Sequence, residues 1–501
     1  MTEPRSIPDT HLISGHRLAR NTVWNLLGNG APILVAFFCI PLIIKGLGTD
    51  RFGIVTLVWA LIGYATLFDL GLGRALTQSV AQKLGMGEHQ AIPVLVWTSL
   101  VLMFVFGLLG TAVVISLAPW LVHLLNVPNA LSRETLVSLY LLAFSLPAVV
   151  STAGLRGLLE AYQRFDLVNA LRIPMGVFTY AAPLAVLPFS KRLVPVVAVL
   201  VSGRVLAWVA HLLCCILVIP VLRSGVVFQR TALAPLFRFG GWMTVTNVIG
   251  PFMATMDRFI VATLLSVGAV TFYATPYELI TKFYLIPGSL LGVMFPAFST
   301  SFVQDRARAG ILYGRTVKYL LLTLFPLILI IVVLAHEGFS LWLGSEFAQR
   351  STAVLQWLAV GVFLNCLAAA PFAVLQGAGR PDLTAKLHMM ELPLYLVTLI
   401  GLTKLRGIEG AAIAWTGRVA IDALVLFFLA GKFLPIHSAT KIQTPFLIVG
   451  AVAILGVATL PATLAAKLLF LFLVLLPFVV VTWFVLLSPA ERKLVLDPVR
   501  P

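Results

Sequence analysis

Residues 92–117, IPVLVWTSLVLMFVFGLLGTAVVISL, run for 26 positions without one charged side chain. As an α-helix this stretch would be about 39 Å long, against about 30 Å of bilayer hydrocarbon. In lipid a spanning backbone must satisfy its own hydrogen bonds, so a single apolar run of this length reads as a transmembrane helix. Outward from it, comparable runs lie near 22–44, 52–73, 137–157, 167–190, 193–221, 237–260, 268–298 and 316–335. More follow near 353–376, 383–403, 408–431, 445–461 and 464–488, which brings the expected spans to fourteen. The connections are short, and none could form a soluble domain. The chain of 501 residues is 60% hydrophobic and 11% charged, where soluble proteins carry roughly 25% charged residues. That balance excludes a soluble enzyme, a disordered chain and a secreted disulfide scaffold. The long alternating segments of an outer-membrane barrel are missing. The expected fold is all-α and polytopic.

Basic residues orient the spans, because Lys and Arg stay on the cytoplasmic side. With both termini inside, the inner tails and loops hold 22 Lys and Arg and the outer loops hold 10. Arg204, Lys282 and Arg418 fall within spans and complete the 35 of the sequence. An odd number of spans would destroy this bias. Most of the net charge of +16 therefore reports membrane orientation, and nucleic acid is not an expected partner. The polar first 21 residues read as a retained cytoplasmic tail. Cys39, Cys214, Cys215 and Cys366 all sit in apolar runs without metal-ligand spacing, so neither a disulfide framework nor a metal site is expected.

The chain also repeats itself. Thr22-Val-Trp-Asn-Leu-Leu-Gly28 returns as Thr244-Val-Thr-Asn-Val-Ile-Gly250. Leu159-x4-Arg164-Phe-Asp-Leu167 returns as Leu375-x4-Arg380-Pro-Asp-Leu383, and Gly203-Arg-Val205 as Gly417-Arg-Val419. The order is kept and the offset drifts only from 222 to 214. Residues 22–222 and 237–431 thus read as two six-helix lobes of the same orientation, related by an axis along the membrane normal. Residues 445–488 add a helix pair, and 489–501 form a second cytoplasmic tail. A cleft between the lobes is the expected place for a transported substrate.

Ionisable groups within spans cost roughly 2.5–3.5 kcal/mol each on insertion scales, so each is a functional candidate. Glu278 and Lys282 stand at i,i+4 on span 8, in the favourable order for an ion pair. They fit a structural salt bridge equally well as a split role, with Lys282 on an anionic substrate and Glu278 exchanging a proton or cation. Arg418 and Asp422 share that spacing on span 12, while the repeat partner Arg204 has Trp208 where Asp422 falls. Both arginines suit packing or substrate contact. Asp257, a third acid for ion coupling, and Arg258 close span 7, where snorkelling to the outer face would satisfy them. Asp69 and Arg74 lie at the inner end of span 2 and read as gate residues. Asn25 and Asn247 are repeat-related amides that could bond a neighbouring helix or sugar hydroxyls. Glu391 is the remaining intramembrane acid, and His211 reads as a satisfied core histidine. Prolines at 32, 41, 251, 276, 287 and 296 make spans 1, 7 and 8 the candidates for bending. No GxxxxGK[ST], HExxH or GxSxG occurs, so neither ATP hydrolysis nor another enzyme chemistry, nor any cofactor, is expected.

Two stretches, Pro41-Leu-Ile-Ile-Lys-Gly-Leu-Gly-Thr-Asp-Arg-Phe-Gly53 and Leu67-Phe-Asp-Leu-Gly-Leu-Gly-Arg-Ala-Leu-Thr77, carry a family likeness. Together with Leu375-Gln-Gly-Ala-Gly-Arg-Pro-Asp-Leu-Thr384 they resemble Wzx-type polysaccharide-biosynthesis flippases of the multidrug/oligosaccharidyl-lipid/polysaccharide exporter superfamily. The resemblance covers nearly the whole chain. It implies a translocase of the bacterial inner membrane that moves a polyprenyl-pyrophosphate-linked oligosaccharide from the inner to the outer leaflet by alternating access. It also implies H+ or Na+ as coupling ion and contact with the polysaccharide polymerase machinery. A pyrophosphate needs positive partners in low dielectric, which Lys282, Arg204 and Arg418 could supply. A peptidoglycan-precursor flippase and a drug/cation antiporter of the same superfamily are the nearest alternatives. A membrane polymerase or ligase is the alternative of another class; it would want a larger outward loop than 118–136 or 336–352.

Overall fold

The computed structural model describes residues 32, 34–64, 72–162, 164–224, 252–291, 306–378, 380–434, 438–460, 463–489 and 491–492. Each of the fourteen expected runs contains helix among the described residues, some giving way to turns at their ends as at 187–190 and 458–460, and no strand occurs among the described residues. In chain order the helices are α1 (Leu34–Leu47), α2 (Thr49–Tyr64), α3 (Leu72–Gly85), α4 (Ile92–Leu124) and α5 (Asn129–Ala161). Then come α6 (Phe165–Val186), α7 (Leu193–Val218), α8 (252–264), α9 (Val267–Ile280), α10 (285–291) and α11 (Arg306–Val333). The last are α12 (Ala335–Leu343), α13 (Ser345–Gly377), α14 (Pro381–Phe433), α15 (Ser438–Val457) and α16 (Leu464–Val481). Seven of the described helices are long and apolar enough to cross a membrane. Two elements lie outside the expected spans: α12, in the stretch read as an outer loop, and most of α3.

Spans 11 and 12 are two helical arms, together labelled α14, that meet at the non-helical Gly407 (φ 59°, ψ −139°), a left-handed conformation suited to glycine. Gly410 completes the turn: a Cβ there would stand 1.9 Å from the Leu402 carbonyl oxygen. A residue with any side chain cannot sit in that corner unless backbone moves.

The chain separates into two compact units. The first gathers Met1–Gly48, Val58–Val122 and Asn129–Asn247, the second Thr49–Leu57, His123–Pro128 and Val248–Pro501. In the first unit α5 packs on α3, α6 and α7. Small residues bring backbones together there: a Cβ on Gly107 would lie 2.4 Å from Pro147 Cα, and Thr111 Oγ1 donates to Ala143 O at 2.7 Å. In the second unit α13 packs against α9, α11, α12 and α14.

The repeated Leu-x4-Arg-x-Asp turns adopt one bonding pattern. Arg164 N donates to Leu159 O at 2.9 Å and Arg380 N to Leu375 O at 3.0 Å. Arg164 Nε reaches Asp166 Oδ1 at 2.9 Å, and Arg380 Nε reaches Asp382 Oδ1 at 2.9 Å. The guanidinium bond is the main cause holding Asp166 below its ordinary range and Asp382 at about 2. Two distant segments thus enter their helices through the same fork.

The final helix is tied at both ends. Lys467 Nζ near its start donates to Glu337 of α12 at 2.9 and 3.0 Å. Past its end, Glu491 accepts from Lys318 of α11 at 2.7 and 2.8 Å and from the Tyr319 hydroxyl. These pairs put α11 and α16 antiparallel, as alternating spans 9 and 14 require. Burial opposes the charge on Glu491, yet the Lys318 and Tyr319 bonds hold it down at about 2. A lowered carboxyl contributes stability fully above its ordinary value of 4.5 and loses it as pH falls through about 2. Glu491→Gln is therefore expected to cost about 1.5–3 kcal/mol at neutral pH. Thermal unfolding in detergent should show that deficit shrinking between pH 4.5 and 2; a deficit constant with pH would mean that the charge contributes nothing.

Candidate functional site

Four helical arms of the second unit each present a stripe of polar groups at helical spacing. On α8 the stripe is Met253 and Asp257, with Arg258 beside it, and on α9 it is Tyr273, Tyr277 and Glu278. A single 3-10 turn, Thr281–Tyr284, follows α9 and carries Lys282. The first arm of α14 adds His388, Glu391 and Tyr395 at i, i+3 and i+7, and its second arm adds Trp415, Arg418 and Asp422 with the same intervals.

Glu278 is the hinge of the first half of this network. Its Oε1 accepts from Arg258 Nη2 at 2.8 Å and its Oε2 from Lys282 Nζ at 3.1 Å. Asp257 Oδ1 accepts from the Arg258 backbone N–H at 2.8 Å and Oδ2 from the Tyr273 hydroxyl. The Arg258 guanidinium lies 5.0 Å from the centre of the Tyr277 ring, a cation–π distance, and Tyr277 packs edge-on against Trp415 at 5.7 Å. Two acids and two bases therefore neutralise one another within a bundle where an unpaired charge would be costly.

Arg418 leads into the second half. Its Nη1 stands 3.7 Å from Glu391 Oε2 and 4.0 Å from Met253 Sδ, and its guanidinium lies 5.4 Å from the Tyr395 ring centre. Asp422 Oδ1 is 3.7 Å from His388 Nε2. Asp422 and Glu391 are also close enough to act on each other. Arg418 acts on Asp257 and Tyr277 as well, which joins the two halves.

Several expectations are met and others change. The Glu278–Lys282 pair forms as the spacing indicates. Asp257 and Arg258 do not snorkel: they are 0% and 3% exposed. The reason is that Glu278 offers Arg258 an internal partner better than the distant interface. Asp422 finds His388 as its nearest partner, one helical arm away, instead of Arg418 on its own helix. Arg204 is half-buried on α7 of the first unit, where Trp208, at the position corresponding to Asp422, packs into an apolar core. His211 is satisfied by the Ala207 carbonyl at 2.7 Å. Asn25, Asn247 and Asp69 lie outside the described residues, and Arg74 falls on α3 with its side chain outside them.

His388, Tyr273, Tyr277 and Trp415 were not singled out from the sequence. His388 and Tyr395 carried a usable signal, since both share a helical stripe with Glu391. The accessible edge of the network belongs to Lys282, whose side chain is 31% exposed against 3% for Arg258. The arrangement thus offers one reachable ammonium, anchored through Glu278 to a buried arginine.

Residues 47–353 match a family model described as polysaccharide biosynthesis protein. A putative O-antigen transporter of Shigella flexneri is 31% identical over 424 residues, which cover 84% of this chain and 99% of the relative. The lipopolysaccharide biosynthesis protein WzxC of Escherichia coli (strain K12) is 22% identical over 215 residues, 42% of either chain. Two solved folds align over most of the chain. An inward-facing MATE multidrug resistance transporter of the MOP superfamily gives a TM-score of 0.70 at 13% identity, over 84% of this chain and 95% of the other. The lipid II flippase MurJ, inward closed, gives 0.69 at 13% identity, over 94% and 99%.

Proposed function

The chain belongs to the polysaccharide biosynthesis protein family, and from that premise we propose that it is a flippase for a lipid-linked oligosaccharide. It is a polytopic membrane transporter and not an enzyme. The similarity to the O-antigen transporter extends over almost all of that relative, and it is this observation that carries the reading. The likeness to MATE and MurJ concerns architecture alone.

In this reading the substrate is a polyprenyl-pyrophosphate-linked repeat unit, moved from the inner to the outer leaflet of a bacterial inner membrane with both termini cytoplasmic. The diphosphate meets Lys282, the reachable cation of the network, with Arg418 in the second unit and Arg204 in the first as further positive partners. Arg258 positions Glu278, which orients the Lys282 ammonium. Glu278, Asp422 and Asp257 carry the coupling to H+ or Na+, Asn25 and Asn247 bind sugar hydroxyls, and Asp69 with Arg74 belongs to the inner gate. The two repeated lobes, 22–222 and 237–431, are the moving bodies, and polymerase machinery receives the product.

Reconstitution in liposomes with a fluorescent undecaprenyl-diphosphate oligosaccharide tests the activity. The protein should accelerate transfer to the opposite leaflet under an imposed proton or sodium gradient; rates equal to empty liposomes, with insertion verified, would overturn the reading. Lys282→Ala should slow transfer at least about tenfold, the scale of losing one charge-assisted hydrogen bond to the substrate. Folded yield should be unchanged, because Glu278 keeps Arg258. Transfer at the wild-type rate would remove Lys282 from the site.

A further inference from the structure

The second half of the polar network contains a feature that ion pairing does not explain. Glu391 is 6% exposed, and neither of its oxygens accepts a hydrogen bond among the described residues. Asp422, 8% exposed, leaves Oδ1 in the same condition, as His388 leaves Nδ1 and Arg418 leaves Nε. One guanidinium, 3.7 Å from Glu391, thus serves two carboxyls that also act on each other. Two full negative charges side by side in a low-dielectric bundle are strongly unfavourable, and buried carboxyl oxygens without donors forfeit their solvation. A hydrogen on one of the two would supply both the missing donor and the missing charge.

We propose that Glu391 and Asp422 share one exchangeable proton, that His388 passes it between them and the aqueous face, and that this proton is the coupling ion. The inference rests on the transport reading for its role and chooses between the two ions left open there. Geometry supports the route. His388 is the most exposed of the three, at 17%, and lies nearer an end of α14 than Glu391 or Asp422. It stands seven residues into α14, about 10 Å along the helix from the Arg380–Asp382 fork. Geometry also disfavours sodium, a hard cation that needs a shell of oxygens. Arg418 already fills the cationic place beside Glu391 and would repel a metal ion there.

Among the described residues, the neighbours of the pair come from three helices. His388 and Tyr395 come from the first arm of α14, and Arg418 and Asp422 from the second. Asp257 of α8 acts on Arg418, and Tyr273 of α9 acts on Tyr395. No charged group of α13, which packs along α14, acts on Glu391 or Asp422. Arrival of one proton takes Glu391, Asp422 and Arg418 together from a net charge of minus one to zero. The claim of the carboxyls on Arg418 weakens accordingly, and the guanidinium becomes available to an anionic headgroup.

Difference infrared spectroscopy on the full-length protein in nanodiscs, without any substrate, reads the proton directly. One titrating protonated-carboxyl band is expected, lost in Glu391→Gln and in Asp422→Asn and insensitive to sodium. His388→Gln, which keeps both acids, should retain the band and displace its midpoint by about one pH unit; this variant also serves if an acid variant fails to fold. A band that survives in both acid variants, that sodium abolishes at constant pH, or whose midpoint ignores His388→Gln overturns the proposal. In liposomes a pH difference should accelerate wild-type transfer and leave Glu391→Gln unaffected. Because the spectra need no substrate, a lost proton site and a lost flippase activity are separate results. An intact band without lipid transfer would sink the transport reading alone.

Discussion

Arg258→Ala should destabilise the protein by about 3–5 kcal/mol, the usual cost of removing one partner from a buried ion pair. The guanidinium is 3% exposed, donates to Glu278 at 2.8 Å and packs over Tyr277. Without it Glu278 keeps only Lys282, and the fully buried Asp257 loses its neighbouring guanidinium. A drop in thermal unfolding temperature in nanodiscs would register the loss. The combined variant Arg258→Met with Glu278→Met separates stability from function. Replacing a buried pair by apolar groups of similar volume is often neutral, so the double variant should recover part of the stability, the remainder being the deficit at Asp257 and Lys282, which still lack Arg258 and Glu278. Transfer of the lipid-linked oligosaccharide should remain abolished, because Lys282 then has no carboxylate to orient it. Restored stability with restored transfer would reduce the pair to a structural brace.

Gly410→Ala is expected to be comparably severe, at about 3 kcal/mol or more, since overpacking against rigid backbone lies at the high end of such costs. A methyl group would have to stand 1.9 Å from the Leu402 carbonyl oxygen and 2.4 Å from its carbon. The obstacle is backbone, not a flexible side chain, so the turn between the two arms of α14 must open. Those arms carry His388, Glu391, Tyr395, Trp415, Arg418 and Asp422, and their register would shift with it. Gly401→Ala is the control. It sits on the first arm of α14, before the turn, with nothing within 4 Å of the added carbon, and should be neutral or slightly stabilising. Folded yield and unfolding temperature of the two variants decide the matter; equal behaviour would mean that the turn yields easily.

The candidate site was legible where its chemistry is local. Glu278 and Lys282 meet because they are four residues apart on one helix, and an i,i+4 pair needs no knowledge of the rest of the fold. The forks at Arg164–Asp166 and Arg380–Asp382 are local too, and a repeat seen as letters returns as a repeat of bonds. Asp257 and Arg258 were misplaced because their position at the end of a span suggested the interface. Their partners, Tyr273 and Glu278, lie 16 and 20 residues away on the next helix. His388 carried no charge in the tally of basic residues and was passed over, although Asp422 waits 3.7 Å from it.

Hydrophobic run length is a property of a line of letters, and a bilayer of fixed thickness converts it directly into spans. To that extent the membrane class, the fourteen helices and the transporter family could be read before any coordinates. Which stripes face each other depends on the rotation and depth of each helix, set by packing among elements far apart in sequence. Arg418 meets Met253 across 165 residues and Lys467 meets Glu337 across 130. Only the tertiary structure could assemble Asp257, Arg258, Glu278, Lys282, Glu391, Arg418 and Asp422 into one network. Only it could leave Glu391 without a donor among the described residues, because electrostatic compensation in low dielectric is decided by distances of a few ångströms and not by composition.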